Sequence, residues 1–403
     1  TGEPVLKNQC DEIVGELEKC QEKNGGEWLF SIPEKYFRWA AEGSPTWAPH
    51  YVVHKTLMGL IDAVRYGESA KALGILEHAA GWFYSFVKDL TAEALGDLLD
   101  IETGGMMEVW ADLFYITGEE THRELIYLYA RNRLFDALLN GEDALTNKHA
   151  NTTIPEVLGA ARAYEVTGEE RWLKIVKAYW KCAVDDRGFY CTGGQTSGEI
   201  WTPPFEYASR RGDKNQEHCT VYNMMRLADF LFRFSGDSKY ADYIEMNLYN
   251  GILAQQNPVT GMISYFLPLE GGARKIWGSK TNDFWCCHGT LVQAHAEHNG
   301  RIYYGDKKQI IVAQYISSCL ETDIGGTPVR LELEHDLVST GGSDDNAGGA
   351  GERHRPEFNT AIIRITGEKP REFSISLRVP DWMEGEGKLS VNDVSLEFEV
   401  SSR

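Results

Sequence analysis

The sequence predicts a mainly α-helical protein in which an (α/α)6 barrel of helical hairpins is followed by a β-sandwich domain. A helical hydrophobic period runs through the first three quarters of the chain, and a glycine–acid signature recurs there about every 50 residues. After about residue 305 the period changes from helical to two, as in half-buried strands. With 403 residues, 42% of them hydrophobic, the chain can bury a sizeable core.

Four stretches have apolar residues at positions i, i+3, i+4 and i+7, the pattern of an amphipathic helix. They begin at Leu57, Met106, Ile154 and Val221. Each is followed by a glycine and then an acidic residue, the glycines being Gly67, Gly118, Gly168 and Gly236. We expect each glycine to end a helix, and the acid to lie near the start of the next one.

The spacing of this signature predicts the number of hairpins. The opening segment TGEPVLKNQC is another copy, in which Gly2 precedes the second helix of a hairpin, and GTLVQAHAEH from Gly289 begins the last helix. The count suits six hairpins, the first lacking its first helix, within a catalytic domain over residues 1–304. An open solenoid is the competing architecture. The long irregular insertion over residues 185–216 favours a barrel with a functional mouth.

The last hundred residues predict a β-sandwich domain over residues 305–403. Val329, Leu331 and Leu333 alternate with polar residues, and so do the apolar positions from Phe373 to Val379. Between these runs, residues 341–357 are rich in glycine and aspartate and have little to bury, so we predict a mobile loop there.

Charge limits the partners of the protein. The net charge is −20, without a basic stripe, which argues against nucleic acid and against an anionic membrane. No apolar run approaches the roughly 18 residues of a membrane span. The sequence leaves the oligomeric state open, a homodimer being compatible with it. It also leaves the compartment open; a thiol-rich site slightly favours the cytoplasm over secretion or the periplasm.

The cysteines have the spacing of a metal site rather than of a disulfide framework. Glu217 and Cys219 form an E-x-C motif, and Cys286 and Cys287 are adjacent. Three thiolates and a carboxylate satisfy the tetrahedral preference of Zn²⁺. The other interpretation is that these are buried apolar cysteines. Cys219 falls at the start of a predicted helix, where the backbone N–H groups favour a thiolate and hence metal binding.

A second candidate lies in the insertion. Glu199 follows flexible glycines and stands close to Trp201 and two prolines. A carboxyl group held against an indole is partly desolvated, which raises its pKa and allows it to donate a proton near neutrality. We therefore predict Glu199 as a general acid, with Trp201 facing the substrate; a solvated loop glutamate is the alternative.

Three separated motifs occur together in this order: TGGQTSGEIWTPP (residues 192–204), QEHCTVYN (216–223) and FWCCHGT (284–290). Together with the helical repeats and the β domain, they resemble the zinc-dependent β-L-arabinofuranosidases of glycoside hydrolase family 127 and their close relatives. The resemblance extends over most of the chain.

The resemblance implies a retaining exo-glycosidase that releases L-arabinofuranose, or a related plant-glycan sugar, from an oligosaccharide or glycoconjugate. It implies Zn²⁺ held by Glu217, Cys219, Cys286 and Cys287, with Cys286 as nucleophile and Glu199 as acid/base. A substrate-contacting glutamate of the family maps onto Glu245. Further pocket residues of the family map onto four positions here, which are His54, Lys55, His149 and Asn151.

Two other classes of function stay open at this point. One is a different (α/α)6 carbohydrate-active enzyme, an epimerase or a polysaccharide lyase, which would not need the cysteines. The other is a non-catalytic carbohydrate-binding protein with structural zinc, in which loss of Cys286 would unfold the chain without affecting any hydrolysis.

Overall fold

The computed structural model describes residues 3–338, 358–384 and 387–398, so the predicted mobile loop at 341–357 lies outside the described residues. The chain divides into two compact units. The first comprises Thr1–Leu227 and Asn250–Cys287, and the second comprises Ala228–Tyr249 and His288–Arg403. The domain boundary predicted between residues 304 and 305 stays a prediction.

Helices dominate the first unit and continue into the second. Their bounds are α1 (Pro4–Lys23), α2 (Lys35–Ala41), α3 (Pro49–Arg65), α4 (Ala70–Val87), α5 (Ala92–Leu99), α6 (Met106–Thr117), α7 (Glu120–Leu128), α8 (Asn132–Leu139), α9 (Ala150–Thr167), α10 (Glu170–Trp180), α11 (Tyr207–Arg210), α12 (His218–Ser235), α13 (Ser238–Asn247) and α14 (Cys286–Glu297). The four helices predicted from the hydrophobic period are therefore confirmed as α3, α6, α9 and α12. Among the described residues no helix is both long enough and apolar enough to cross a bilayer.

The helices of the first unit form two layers of hairpins. Helices α3, α6 and α9 pack side by side, and each also packs on its own partner, α4, α7 or α10. Helix α9 is buried along nearly its whole length, and α6 over its first eight residues, as expected for helices covered on all sides. Helices α7 and α10 bury one face only. This arrangement of inner and outer helices agrees with the predicted helical hairpins.

The glycine–acid signature ends helices as predicted, with one difference. Gly118, Gly168 and Gly236 adopt left-handed φ values of 71°, 70° and 68° at the ends of α6, α9 and α12. After α3 the left-handed residue is Glu68, at φ 53°, rather than Gly67. Gly67 is needed for another reason, because a Cβ there would lie 2.6 Å from the carbonyl oxygen of Ala63.

Aromatic residues fill much of the core of the first unit. The ring centroids of Trp28 and Trp82 are 4.6 Å apart, and those of Phe83 and Trp110 are 5.4 Å apart. These rings are buried or nearly so. Much of the generous aromatic content of the sequence therefore serves packing.

Strands occur in two regions of the chain. In the first unit, β1 (Thr196–Ser197) and β2 (Ile200–Trp201) make a small antiparallel hairpin inside the insertion. The other strands belong to the second unit: β3 (Tyr303–Gly305), β4 (Gln309–Val312), β5 (Ser318–Asp323), β6 (Pro328–Val338), β7 (Phe358–Gly367), β8 (Ser374–Leu377), β9 (Leu389–Val391) and β10 (Val394–Leu396).

The second unit contains the predicted sandwich. One sheet has the order β3-β4-β8, with β4 and β8 parallel, a second is the antiparallel sheet β5-β6-β7, and β9 and β10 form a separate antiparallel pair. Ile310 and Val312 from the first sheet share one buried core with Val329, Leu331 and Leu333 from the second. The alternation seen in the sequence thus marks the inward face of β6.

Candidate active site

The four residues of the predicted metal site come together in the first unit. One donor atom from each of Glu217, Cys219, Cys286 and Cys287 lies within 4.8 Å of every other. Glu217 immediately precedes α12 and Cys219 is in its first turn, while Cys286 and Cys287 begin α14. Two helix starts therefore meet with their thiols facing one another, and the free N–H groups there favour anionic ligands.

The spacing of these donors suits a tetrahedral metal ion. Metal–sulfur bonds of about 2.3 Å in tetrahedral geometry place two sulfurs roughly 3.8 Å apart. The sulfur of Cys287 lies 3.5 Å from that of Cys219 and 4.0 Å from that of Cys286, and the Cys286 sulfur lies 3.9 Å from the Glu217 carboxylate. Thr220 donates to the other oxygen of Glu217 at 3.1 Å. These four residues could hold a zinc ion without rearranging.

Burial makes the cluster costly to ionise without a cation. It raises the pKa of Glu217 to about 8 and that of Cys287 well above its usual value. The pKa of Cys219 is also raised, first by its hydrogen bond to Cys286. The pKa of Cys286 is lowered, first by its hydrogen bond with Cys219 and then by that with Cys287. One thiolate, at Cys286, is therefore the favoured charge state of the metal-free cluster.

Glu199 occupies a strained turn. Gly198 and Glu199, with φ 59° and 72°, connect β1 and β2 as a two-residue turn in which both residues are left-handed. A non-glycine residue in this conformation is uncommon and occurs where the surroundings fix it. The insertion is therefore ordered around Glu199 as a hairpin, rather than as a simple flexible loop.

Two side chains hold the Glu199 carboxylate. Its Oε2 lies 3.2 Å from Nε2 of His149, and its Oε1 accepts a short hydrogen bond from the hydroxyl of Tyr265. The hydrogen bond with His149 is the main reason why the pKa of Glu199 is lowered from its ordinary value. The pKa of His149 is raised by the same contact. The predicted increase in the Glu199 pKa is therefore wrong.

Trp201 explains this error. Its ring is completely buried, and its indole N–H donates to Oγ1 of Thr153 on α9 at 3.1 Å. A ring enclosed in this way has no free face to offer to a sugar, so the predicted contact between Trp201 and substrate is also wrong. Trp201 supports the hairpin from inside.

Sequence reasoning missed two residues near Glu199. The hydroxyl of Tyr265 lies 3.5 Å from the sulfur of Cys286 as well as contacting Glu199. Glu102 approaches Nδ1 of His149 at 3.7 Å and has a left-handed φ of 30°. Glu102 had a detectable signal, since it precedes two adjacent glycines in ETGG. Tyr265 lies in an irregular segment that has none.

The pocket residues on α3 are placed as follows. His54 is buried against Gly104, where a Cβ would lie 2.5 Å from its ring, and burial lowers its pKa well below the usual value. Lys55 is accessible to solvent, with its Nζ 5.8 Å from the centroid of Tyr51. The surrounding protein partly desolvates its ammonium, which lowers its pKa, while the interaction with Cys219 acts in the opposite direction. Lys55 and Tyr51 therefore lie within the electrostatic reach of the thiol cluster.

Asn151 and Glu245 are engaged with other residues. Asn151, in the first turn of α9, accepts a hydrogen bond from Asn223 at 3.2 Å. Glu245 lies on α13 in the second unit, where Arg378 contacts one carboxylate oxygen at 2.9 Å and the Trp382 indole donates to the other at 2.7 Å. The substrate contacts predicted for His54, Lys55, His149, Asn151 and Glu245 stay predictions.

All eight cysteines are free thiols, which agrees with the prediction that they form no disulfide framework. Only Cys286 among the four clustered residues is accessible to solvent, the other three being buried. A ligand entering the site would therefore meet the sulfur of Cys286 first.

Comparisons with known proteins identify relatives of this arrangement. A family model described as β-L-arabinofuranosidase, GH127 catalytic domain, matches residues 1–300. A crystal structure of a GH127 β-L-arabinofuranosidase from Geobacillus stearothermophilus T6 superposes with a TM-score of 0.70 at 17% identity, over 98% of this chain and 65% of that one. A GH127 β-arabinofuranosidase superposes with a TM-score of 0.69 at 17% identity, over 99% of this chain and 64% of that one.

A third solved structure, described as a glycoside hydrolase, gives a TM-score of 0.70 at 16% identity, over 99% of this chain and 66% of that one. This chain thus spans slightly less than two thirds of the length of these structures. A search of curated proteins found no match. The structural similarities confirm the predicted fold class, a helical-hairpin barrel followed by a sheet domain.

Proposed function

We propose, because this chain belongs to the β-L-arabinofuranosidase family GH127, that it is a retaining exo-glycosidase that releases L-arabinofuranose or a related plant-glycan sugar. One observation carries the proposal: a solvent-accessible thiol, Cys286, and a carboxylate, Glu199, contact the same hydroxyl of Tyr265. The substrate would be an oligosaccharide or glycoconjugate with the sugar at its non-reducing end.

The distance between the two groups supports retention of configuration. Because both contact one hydroxyl oxygen, the sulfur and the nearer carboxylate oxygen lie within about 6 Å of each other. In retaining glycosidases the two catalytic groups are about 5–5.5 Å apart, whereas inverting enzymes keep about 6.5–9.5 Å for a water molecule. Here a thiolate would replace the usual carboxylate nucleophile.

The residues would act in two steps. The Cys286 thiolate attacks the anomeric carbon, a carbon–sulfur bond forms as the glycosidic carbon–oxygen bond breaks, and Glu199 passes the proton that rests on His149 to the leaving oxygen. Water then attacks the same carbon, Glu199 takes a proton from it, and the carbon–sulfur bond breaks. The enzyme returns to its starting state.

His149 would supply the resting position of the proton. The hydrogen bond between His149 and Glu199 lowers the pKa of Glu199 and raises that of His149. The proton that the two groups share therefore rests mostly on the imidazole. When a leaving oxygen develops negative charge, transfer through Glu199 neutralises it. Thr152, whose hydroxyl lies 3.0 Å from the other ring nitrogen, keeps the imidazole oriented, with Glu102 3.7 Å from the same nitrogen.

Zinc would be held by Glu217, Cys219, Cys286 and Cys287. The fit of their spacing to tetrahedral coordination supports this assignment. When bound, the ion supplies the positive charge that keeps buried thiols deprotonated near neutral pH.

The test is hydrolysis of an aryl β-L-arabinofuranoside, with metal analysis of the same preparation. We expect one zinc per chain, turnover by the native protein, and loss of turnover in Cys286→Ala and Glu199→Gln. Cys20→Ala, which changes an exposed thiol on α1, should behave as the native protein. Full activity in Cys286→Ala would contradict the proposed nucleophile. Zinc binding without release of any sugar would favour a non-catalytic binding protein.

A further inference from the structure

We propose that Arg187 is a positioning residue that holds Glu199 in its left-handed turn. The proposal rests on the proposed function for its effect on turnover, and on contacts alone for its effect on the hairpin. Arg187 lies in the insertion, at the end of the helical turn that continues α10.

The guanidinium of Arg187 is completely buried and contacts two other segments of the chain. One terminal nitrogen donates to the Asp143 carboxylate at 2.5 Å. The other donates to Oγ1 of Thr146 at 3.0 Å and, by a short hydrogen bond, to the carbonyl oxygen of Thr202. The guanidinium also lies 5.8 Å from the centroid of the Trp201 ring.

These contacts join the two segments that carry the proton-handling pair. Asp143 and Thr146 lie in the loop that leads into His149 at the start of α9, while Trp201 and Thr202 are the second and third residues after Glu199. Arg187 therefore contacts both segments, a few residues from each member of the pair.

Backbone hydrogen bonds continue this connection to Glu199 itself. The Trp201 N–H donates to the carbonyl of Lys148 at 3.0 Å, and the Asn147 N–H donates to the carbonyl of Trp201 at 3.1 Å. The carbonyl of Glu199 accepts from the N–H of Ala150 at 2.9 Å. Strand β2 thus pairs with residues 147–150 on one side and with β1 on the other.

A left-handed glutamate needs such support. The φ of 72° at Glu199 is a conformation that a side-chain-bearing residue leaves when its surroundings loosen. Arg187 fixes the end of β2, and a planar guanidinium with several fixed donors can satisfy three acceptors in a way that the single ammonium of lysine cannot. Burying a charge opposite a half-exposed Asp143 is costly unless hydrogen bonds compensate it, as those to Asp143, Thr146 and Thr202 do.

The kinetic test separates positioning from simple loss of stability. Arg187→Lys and Arg187→Gln would be compared with Arg162→Lys, another arginine bonded to a carboxylate on an inner helix, 2.7 Å from Asp112. Two arabinofuranosides would be used: a nitrophenyl glycoside, whose leaving group needs little protonation, and an alkyl glycoside, whose leaving group needs a proton.

Misplacing an acid by about 1 Å costs up to about 100-fold in rate. We expect Arg187→Lys to reduce kcat on the alkyl glycoside by about 30-fold and on the nitrophenyl glycoside by less than about 3-fold. Azide, a nucleophile that needs no base, should restore part of the turnover of the variant. Equal losses on both substrates, or no loss on either, would overturn the proposal.

Amide hydrogen exchange tests the same inference without activity. Exchange at Trp201 and Ala150 should be at least about 10-fold faster in Arg187→Lys and unchanged in Arg162→Lys. Thr146→Val removes only one of the acceptors of Arg187 and should give a smaller increase in exchange rate at the same two amides. This variant provides the same test if Arg187→Gln fails to fold. If the native protein hydrolyses no glycoside, the proposed function fails. Faster exchange in Arg187→Lys would still support the positioning role of Arg187. Unchanged exchange would overturn it.

Discussion

The hydroxyl of Tyr265 lies 3.5 Å from the sulfur of Cys286 and donates a short hydrogen bond to the carboxylate of Glu199. It therefore occupies the space between the two groups proposed to act on opposite sides of one glycosidic bond. One donor cannot serve a thiolate and a carboxylate equally, so a substrate that displaces either contact shifts the pKa of the other group.

Tyr265→Phe should alter the pH profile as well as the rate. Removing a donor to an ionised carboxylate raises its pKa, and the Tyr265 hydrogen bond is one of the contacts that lower the pKa of Glu199. We expect the alkaline limb of kcat/KM to move to higher pH, and kcat to fall about 10-fold to 100-fold. A pH series of kcat/KM for native protein and variant measures both.

Tyr304→Phe is the matched control for this prediction. Tyr304 is a half-buried tyrosine of the second unit that donates to a carboxylate, Asp229, at 2.6 Å. Its loss should lower the melting temperature without moving the pH profile. A shift of the pH profile of the same size in both variants would show that the effect of Tyr265→Phe does not depend on its contact with Glu199.

How much of this site the sequence predicts depends on how each residue is held. The thiols were predictable, because helix starts with E-x-C and C-C place four donors at short range. Tyr265 was not, because only the tertiary fold brings its irregular segment to Cys286. The pKa of Glu199 was predicted in the wrong direction, because sequence adjacency to Trp201 does not reveal that the ring faces Thr153.

Metal binding to the metal-free protein at pH 7 should release about three protons per chain. Glu217, with a pKa of about 8, and Cys219 and Cys287, with pKa values raised further, are protonated before binding, whereas Cys286 is already a thiolate. Calorimetric titration with Zn²⁺ in buffers of different ionisation enthalpy measures the number. Glu217→Gln should release about one proton fewer, and a native value below one would contradict the assigned charge state.

The contact between His149 and Glu199 should stabilise the fold within a defined pH window. The raised pKa of His149 contributes stability that is complete below its ordinary value of 6.5 and is lost as the pH rises through the folded-state pKa. The lowered pKa of Glu199 contributes stability that is present above 4.5 and is lost as the pH falls. The contribution is therefore largest between pH 4.5 and 6.5.

Both groups are about one third exposed, so roughly 0.5–1 kcal/mol is expected within this window. Urea unfolding of native protein and Glu199→Gln across pH 4–8 tests it. Glu102 also faces His149, and its charge likewise raises the pKa of His149. A stability difference that does not vary with pH would show that the ion pair contributes nothing.

The sequence predicted which segments are helical but not how closely they approach. Helix α9 was recognised from the period beginning at Ile154, and its end from Gly168. Nothing in that period distinguishes Gly159 from any other small residue. Its role comes from the crossing of two inner helices, which is a tertiary property.

Gly159→Ala should destabilise the protein although alanine is the better helix former. A Cβ at position 159 would lie 2.7 Å from the Cβ of Met107 and 3.0 Å from the backbone nitrogen of Glu108, and a backbone atom of a packed helix cannot easily move away. Overpacking of this kind costs about 1–3 kcal/mol, more than the 0.8–1 kcal/mol or so gained in helix propensity. Gly74→Ala in α4, where no atom lies within 4 Å of the added Cβ, should instead stabilise by about 0.5–1 kcal/mol. Thermal unfolding of the two variants beside the native protein distinguishes helix propensity from close packing. Propensity alone would raise both melting temperatures, whereas close packing lowers only that of Gly159→Ala.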